Sequence, residues 1–402
     1  AGAVSAVAGI DAIIAGHSHQ VFPAPAFAGR PEVDVVAGRL NGIAATMPGF
    51  GGSHLGVIDL DLTLAAGGTW HLSSGRGSVI ALAPWITGRG AEHAAGRTGG
   101  RTGGRTASAM LAVTRDAHEA TRAAMRQPVG QTTQALHSYF SLVRDSAVVR
   151  LAATAQAAHV ARRLAGGPHG GLPVLGASPP YRTGGRSGPE SYVDIPQGPL
   201  ARRHLSGIYP FPNTIAALRL TGAELHAWLA HAARIFRRLT PGQADQTLLV
   251  ADIPSYQFDI IAGLDYVIDL SAPEICPEGG PSPRIRALRY LGRPLDPRAE
   301  FILAVSGYRA AGGGGFPGAV PEAIVLESDE LVRDILEAHL AASPPARVPA
   351  RCPPRSGWQL APLPGTSALF DTGPGALGHL PDPGLTPVGL TPEGFLRIRL
   401  DL

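Results

Sequence analysis

Residues 208–225 read IYPFPNTIAALRLTGAEL, and the fold class follows from this stretch outward. Prolines on both sides of Phe211 mark a turn. Ile215–Leu220 is a short, mostly apolar run of the kind that forms a buried strand. Thr221-Gly-Ala-Glu224 is a capping box, in which the Thr221 hydroxyl and the Glu224 carboxylate satisfy free backbone N–H groups at a helix start. Behind it Leu225, Trp228, Leu229, Ala232, Ile235, Phe236 and Leu239 recur at steps of three, four and seven, which predicts a one-faced helix. Further strands are expected at Tyr266–Leu270, Ile285–Tyr290 and Phe301–Val305, and a helix at Asp145–Leu164 with Val148, Leu151, Ala152 and Ala155 inward. Strands and helices mix without strict βαβ alternation, so an α+β domain with a mixed sheet is expected.

Toward the N-terminus the texture changes. Ile10–Ala15 is a short buried strand candidate ending at Gly16, and Gly56–Leu64 alternates Ile58, Leu60, Leu62 and Leu64 with polar residues, the pattern of a half-exposed strand. Gly96–Arg105 is the low-complexity run GRTGGRTGGR, expected to be a mobile loop because its glycines lose much entropy on ordering. The alternative reading makes Arg97, Arg101 and Arg105 contacts for phosphate or RNA. A helix at Ser108–Arg126 follows. Beyond Ala342 the chain is Pro-rich, yet Trp358–Leu360, Ala368–Phe370 and the alternating Leu396, Ile398, Leu400 and Leu402 look like added strands. The expected organisation is two domains: residues 1–85, a Gly/Arg-rich loop and linker helix at 86–127, a second domain at 128–345, and a tail at 346–402 packed on it.

Composition narrows the function. A hydrophobic share of 45% with only 16% charged residues favours a folded chain, and 52 glycines with 37 prolines point to many turns. All 34 basic residues are arginine and the net charge is only +3, with no basic run interleaved with aromatics, which argues against a nucleic-acid polymer as partner. No run of about 18 apolar residues predicts a membrane span, and Ala1–Ile14 has no basic start of a signal peptide. Cys276 and Cys352 either form one disulfide or are two free thiols. Oligomeric state is not encoded in any of these features.

Gly16-His17-Ser18-His19 places two imidazoles two residues apart on a tight loop after a strand, an arrangement that can converge on a metal. Two ligands do not make a hydrolytic site, because a two-metal phosphoesterase needs several carboxylates and histidines to hold ions about 3.5–4 Å apart. Ile10–Phe22 (IDAIIAGHSHQVF) followed by Met47–Leu60 (MPGFGGSHLGVIDL) resembles the end of a calcineurin-like metallophosphatase domain. That resemblance makes His17 and His19 metal ligands and leaves His54 a loop histidine. The family's D-x-H, second-aspartate and G-N-H-E motifs have no counterpart here. Those motifs carry the acid/base histidine–aspartate pair, so the chain is expected to be N-terminally truncated, with no catalytic residue of its own. The site for two divalent ions (Mn, Co, Zn or Mg) is then incomplete.

The second half carries four ordered motifs: Ala177–Leu200 (ASPPYRTGGRSGPESYVDIPQGPL), Ile208–Leu225, Tyr256–Leu270 (YQFDIIAGLDYVIDL) and Val305–Gly318 (VSGYRAAGGGGFPG). They are similar to the nucleotide-binding C-terminal domain of bacterial 5′-nucleotidases and cyclic phosphodiesterases. The resemblance implies that a base stacks between Phe211 and Tyr308, with Arg186 and, more loosely, Arg182 at phosphate or ribose oxygens. Aromatic rings suit a flat base, each stack contributing about 1–3 kcal/mol. A planar guanidinium suits a phosphate. Phe258, in an apolar run, reads as packing. Ser306-Gly307 stands where the family usually has asparagine before the clamping tyrosine, and Gly314 where the 5′-nucleotidase branch has aspartate.

With the SYVDIP and YPFPN wording, Gly314 favours the 2′,3′-cyclic-nucleotide 2′-phosphodiesterase/3′-nucleotidase branch. The first domain would then be the remnant of a metallophosphatase β-sandwich with helices, and the second a complete nucleotide-binding domain. The implied activity is metal-dependent hydrolysis of 2′,3′-cyclic nucleotides and 3′-nucleotides, a phosphoric ester hydrolase in nucleotide catabolism. Periplasmic or cell-surface location is implied by family alone. The alternatives are a 5′-nucleotidase or nucleotide-sugar hydrolase, and a non-catalytic nucleotide-binding module.

Overall fold

A computed structural model describes residues 2–50, 52–82, 103–274, 280–342, 357–380 and 384–402, with 103–110 described by backbone alone. Cys276, Cys352 and residues 96–102 of the Gly/Arg run lie outside the described residues. The chain divides into two compact units, Ala1–Thr114 and Arg115–Leu402.

In the first unit, strand β1 (Ala12–Ile14) lies parallel to β2 (Ile43–Pro48), with Ile13 opposite Ala45. A small core of Ile13, Phe22, Leu40, Ala45 and Met47 sits on this sheet. Strands β3 (His54–Leu64) and β4 (Trp70–Ala81) form a long antiparallel hairpin. A side chain at Gly77 would collide with the backbone of Ala45 and Gly38, so glycine is what lets β4 press against β2. The alternation read in β3 buries less than expected. Ile58 is half-buried, whereas Leu60, Leu62 and Leu64 are exposed. β2 meets the hairpin at Gly56, Gly75 and Gly77; Leu60 stands opposite Gly75 at the last of these contacts, and Leu62 and Leu64 lie farther along the hairpin.

Helix α1 (Gly103–Arg126) starts earlier than the predicted Ser108, so Gly103, Gly104 and Arg105 are helical rather than part of a loop. Nucleation is the costly step of helix formation, and propagation by a few residues costs little. The second unit continues with α2 (Ala147–Leu164), β5 (Val174–Ser178), α3 (Arg202–Ile208), β6 (Thr214–Thr221) and α4 (Gly222–Ala232). Then come β7 (Ile260–Ala262), β8 (Leu264–Ile268), β9 (Ile285–Tyr290), β10 (Glu300–Ser306) and the single turn α5 (Gly307–Ala310). β11 (Ile324–Leu331) and α6 (Val332–Ala342) precede the tail strands β12 (Trp358–Leu360), β13 (Ser367–Thr372), β14 (Leu385–Leu390) and β15 (Leu396–Asp401).

The centre is a mixed sheet in the order β7-β5-β10-β6-β11, in which β5 and β10 are parallel and the other pairs antiparallel. Strand alternation sorts its side chains onto two covered faces. Leu218 and Leu220 of β6 with Leu303 and Val305 of β10 pack against Leu225, Trp228 and Leu229 of α4. Ile215, Ala217, Ile302 and Ala304 face Leu151 and Ala152 of α2 and Leu336 and Leu340 of α6. Burial on both faces explains why β6 and β10 read as nearly continuous apolar runs.

The capping box forms as read: Thr221 N–H donates to Glu224 Oε2 (2.7 Å) and Glu224 N–H to Thr221 Oγ1 (3.3 Å). The helix behind it is shorter than its periodicity predicts. It ends at Ala232 and passes into a 3-10 turn at Ala233–Ile235, although Phe236 and Leu239 are still buried. Arg284, fully buried, donates from Nη1 to the carbonyls of Ala233 (3.2 Å) and Phe236 (3.0 Å). A guanidinium thus satisfies carbonyls left open at the helix end.

The tail strands belong to the fold. β12 adds parallel to β8, with Trp358 opposite Tyr266, and β13 pairs antiparallel with β15. A 3-10 turn at Pro374–His379 brings His379 Nε2 to Asp194 Oδ1 (3.0 Å), beside the His137 ring (4.4 Å between centroids). Burial above all, then His379, lowers the His137 pKa to about 4, against the pull of Asp194. A histidine that titrates lower folded than unfolded favours unfolding when protonated. Its contribution is complete above about pH 6.5 and is lost as pH falls toward 4. Urea midpoints measured across that window should therefore fall with pH, and His137→Phe should flatten the fall.

Candidate functional site

The pairing registers place four of the quoted motifs at one end of the central sheet. Ser178, last in β5, lies opposite Ile260, first in β7, and Ser306, last in β10, lies opposite Ile215 near the start of β6. Since β5 and β10 run parallel, the loops leaving both strands emerge at this end. The loop after β5 carries Arg182 and Arg186, the turn before β6 carries Phe211, and α5 after β10 carries Tyr308. The segment 254–259 before β7 arrives there too.

Tyr308 is 51% exposed and Phe211 44%, in a unit that buries Phe258 to 1%. The two rings expected to hold a base are therefore accessible, and the phenylalanine expected to pack is packed. Phe211 meets Tyr181 edge-on, with centroids 5.3 Å apart. Ser306 caps α5 by accepting the Arg309 N–H (3.3 Å), which fixes the turn that starts with Gly307-Tyr308.

Arg309, beside Tyr308, is the organising charge. Its guanidinium is buried and grips Asp259 in a fork, Nε to Oδ2 at 3.0 Å and Nη2 to Oδ1 at 2.9 Å. It also donates to the carbonyls of Gly313 (2.6 Å) and Tyr256 (2.9 Å) and lies 4.0 Å from the Phe316 ring centroid. Trp228 Nε1–H donates to Asp259 Oδ2 (3.1 Å), and His231 Nε2 bonds the Gly314 carbonyl (2.9 Å). Burial pushes the Asp259 carboxyl up, against the opposing pull of Arg309 and of the Trp228 N–H. The ion pair is thus a rivet through segment 256–259, α5 and the glycine-rich loop.

That loop needs its glycines. A Cβ at Gly313 would stand 2.5 Å from the Tyr308 ring, and one at Gly314 (φ +83°) would run into Arg309 Nη1. Gly313→Ala should push the Tyr308 ring aside and weaken nucleoside binding several-fold while α4 and the sheet stay folded. Adenosine titration alongside far-ultraviolet circular dichroism checks both parts.

The two arginines differ. Arg186 is exposed on a 3-10 turn, Gly185–Ser187, entered through Gly184 at φ +73°. Arg182 is half-buried, its carbonyl accepting the Ser138 hydroxyl and its Nε buried without a hydrogen-bond partner. It lines a pocket of about 10 Å³ with Ser138, Ser178 and Tyr181, room for one water. Arg309, Asp259, Tyr181 and Tyr209 were not singled out in the sequence. The signal for the first two was available: a lone Asp259 in the apolar run FDII requires a buried cationic partner.

In the first unit His17 and His19 are exposed, with positive φ of 68° and 59°. His19 stacks on Phe50 at 4.8 Å, and Ser18 between them bonds Met47 Sδ (3.2 Å). His54, read as a loop histidine, is instead the first residue of β3, opposite Ala81, and its Nδ1 bonds Ser53 Oγ (2.9 Å). Among the described residues no group of three or more His, Cys, Asp or Glu side chains is placed to hold a metal. His17 and His19 supply at most two ligands, which does not fit a two-metal centre built from this chain alone.

Residues 128–320 match the family model of the 5′-nucleotidase C-terminal domain, and the match takes in all four loops at this sheet end. The whole chain has relatives of the same kind. It is 33% identical, over 99% of its length, to a 2′,3′-cyclic-nucleotide 2′-phosphodiesterase/3′-nucleotidase of Salmonella typhimurium, and covers 62% of that protein. It is also 33% identical to the trifunctional nucleotide phosphoesterase protein YfkN of Bacillus subtilis, over 90% of this chain and 24% of that one. The chain therefore spans less than two thirds of the curated relatives it matches. A crystal structure of a Staphylococcus aureus protein put forward as a 5′-nucleotidase shares the fold, with a TM-score of 0.58 over 87% of this chain and 56% of that one at 15% identity. The matched residues include Arg182, Arg186, Phe211, Asp259, Tyr308 and Arg309. No helix of the described residues is long and apolar enough to cross a membrane.

Proposed function

We propose that the second unit holds a nucleotide at the loop end of its central sheet, with the base between Phe211 and Tyr308 and the phosphate or ribose oxygens at Arg186. Arg182 is a further contact in this reading. The observation that carries it is the convergence of the four motifs on one sheet end with two large rings left accessible. The first unit corresponds to the C-terminal part of a metallophosphoesterase domain, and His17 and His19 are its contribution to a centre of two divalent ions. Such a centre, when complete, supplies a polarised phosphoester and a bound hydroxide. The residues of this chain bind and orient the nucleotide, and none of those described is assigned the proton transfer. The reaction is hydrolysis of 2′,3′-cyclic nucleotides to 3′-nucleotides and then to nucleoside and phosphate. The relatives' names support it, and a place in nucleotide catabolism, with export to the periplasm or cell surface, is proposed with it.

The test is to supply 2′,3′-cyclic AMP with Mn²⁺ or Co²⁺ to the protein carrying the upstream metal motifs and to measure adenosine. Faster turnover of 5′-AMP than of 3′-AMP would instead favour a 5′-nucleotidase. The 3′ reading rests on the Gly314 position noted in the sequence and on the name of the Salmonella relative. A second reading, a nucleotide-binding module without catalysis, is favoured by the lack of a three-ligand group among the described residues. Adenosine binding with no turnover by that same protein would select it.

A further inference from the structure

Beneath the two accessible rings runs a line of buried hydroxyls that joins their loops. Phe211 leans on Tyr181, whose own ring meets Tyr209 edge-on at 4.8 Å. The Tyr181 hydroxyl donates to Tyr209 Oη (3.1 Å), and Asn213 Nδ2 donates to the same oxygen (3.4 Å). Ser306 lies beside the Tyr209 hydroxyl. It is also the residue whose Oγ caps the turn carrying Tyr308. The start of α5 is pressed onto the start of β6, for a Cβ at Gly307 would stand 2.5 Å from Thr214 Oγ1. Tyr209 itself is 1% exposed. Packing alone would be served by phenylalanine at 181 and 209, whereas each buried hydroxyl demands a partner. Here the hydrogen bonds join the loop after β5 to the turn before β6, and the Gly307–Thr214 contact ties the end of β10 to that turn.

We propose that Tyr181 and Tyr209 are positioning residues that set the separation and tilt of Phe211 relative to Tyr308, and so tune the clamp to a single flat nucleobase. The proposal rests on the reading of Phe211 and Tyr308 as the stacking pair. Neither tyrosine touches the nucleoside; each acts through a ring that does. Tyr209→Phe removes one oxygen and keeps the ring, but it leaves the Tyr181 hydroxyl and the Asn213 amide each short of a partner.

The experiment is calorimetric titration of adenosine into the full chain, into Tyr209→Phe and Tyr181→Phe, and into each of these combined with Phe211→Ala. Either single hydroxyl deletion should weaken adenosine about three- to ten-fold, the scale of a lost net hydrogen bond. In the Phe211→Ala background the same deletion should cost less than half as much, since one of the rings it positions is gone. A purely structural role would give the same loss in both backgrounds. That additivity, or unchanged affinity in both single variants, overturns the proposal and leaves the stacking reading intact. If Tyr209→Phe fails to fold, Tyr181→Phe, which keeps the Asn213 bond to Tyr209, decides alone. No adenosine binding by the unmodified chain would overturn the stacking reading itself, and this proposal with it.

Discussion

Replacing Asp259 with alanine should destabilise the second unit by about 3–5 kcal/mol, the cost of leaving a buried charge without its partner. Arg309 is 5% exposed at its side chain, so water cannot take over the lost carboxylate. Trp228 Nε1–H, buried in the core, loses its acceptor as well. The damage spreads because the same guanidinium fastens the carbonyls of Tyr256 and Gly313. The urea midpoint of the unit should drop accordingly. The double change Asp259→Leu with Arg309→Met should cost clearly less than Asp259→Ala, since apolar groups of similar size leave no orphaned charge. Equal losses in the single and double variants would show that the segment needs the shape of the pair rather than its charge balance.

Removing the two accessible rings should abolish tight nucleoside binding with little effect on stability. Each base–aromatic stack contributes about 1–3 kcal/mol, so Tyr308→Ala and Phe211→Ala should each weaken adenosine roughly five- to 150-fold. Half-exposed rings contribute little to the core, so thermal midpoints should move far less than they do for Asp259→Ala. The contrast separates two jobs within this one cluster of loops: Asp259 holds the loops, and under the proposed function the rings beside them hold the base.

Local signals in the sequence reached the elements that are self-contained. The capping box at Thr221–Glu224, the strand before it and the tail strands around Trp358 and Leu396 all follow from patterns a few residues long. The end of α4 did not, because apolar spacing continues through Leu239 while the helix stops where Arg284, distant in sequence, caps its carbonyls. Exposure of Leu60, Leu62 and Leu64 escaped for a similar reason: alternation says which face a side chain takes, not whether a neighbour lies over it. At the site, the motifs marked the surface rings but passed over what supports them. Tyr181 and Tyr209 meet across segments far apart in the chain, which neither hydropathy nor spacing encodes, whereas the lone Asp259 in an apolar run signalled a buried cation without saying that it is Arg309.

The most direct measurement is a crystal structure of the chain with adenosine bound. The base is predicted to lie between the Phe211 and Tyr308 rings at the loop end of the central sheet, over the Arg309-bound glycine loop. A base bound elsewhere, or both rings left facing solvent at saturating adenosine, would contradict the assignment.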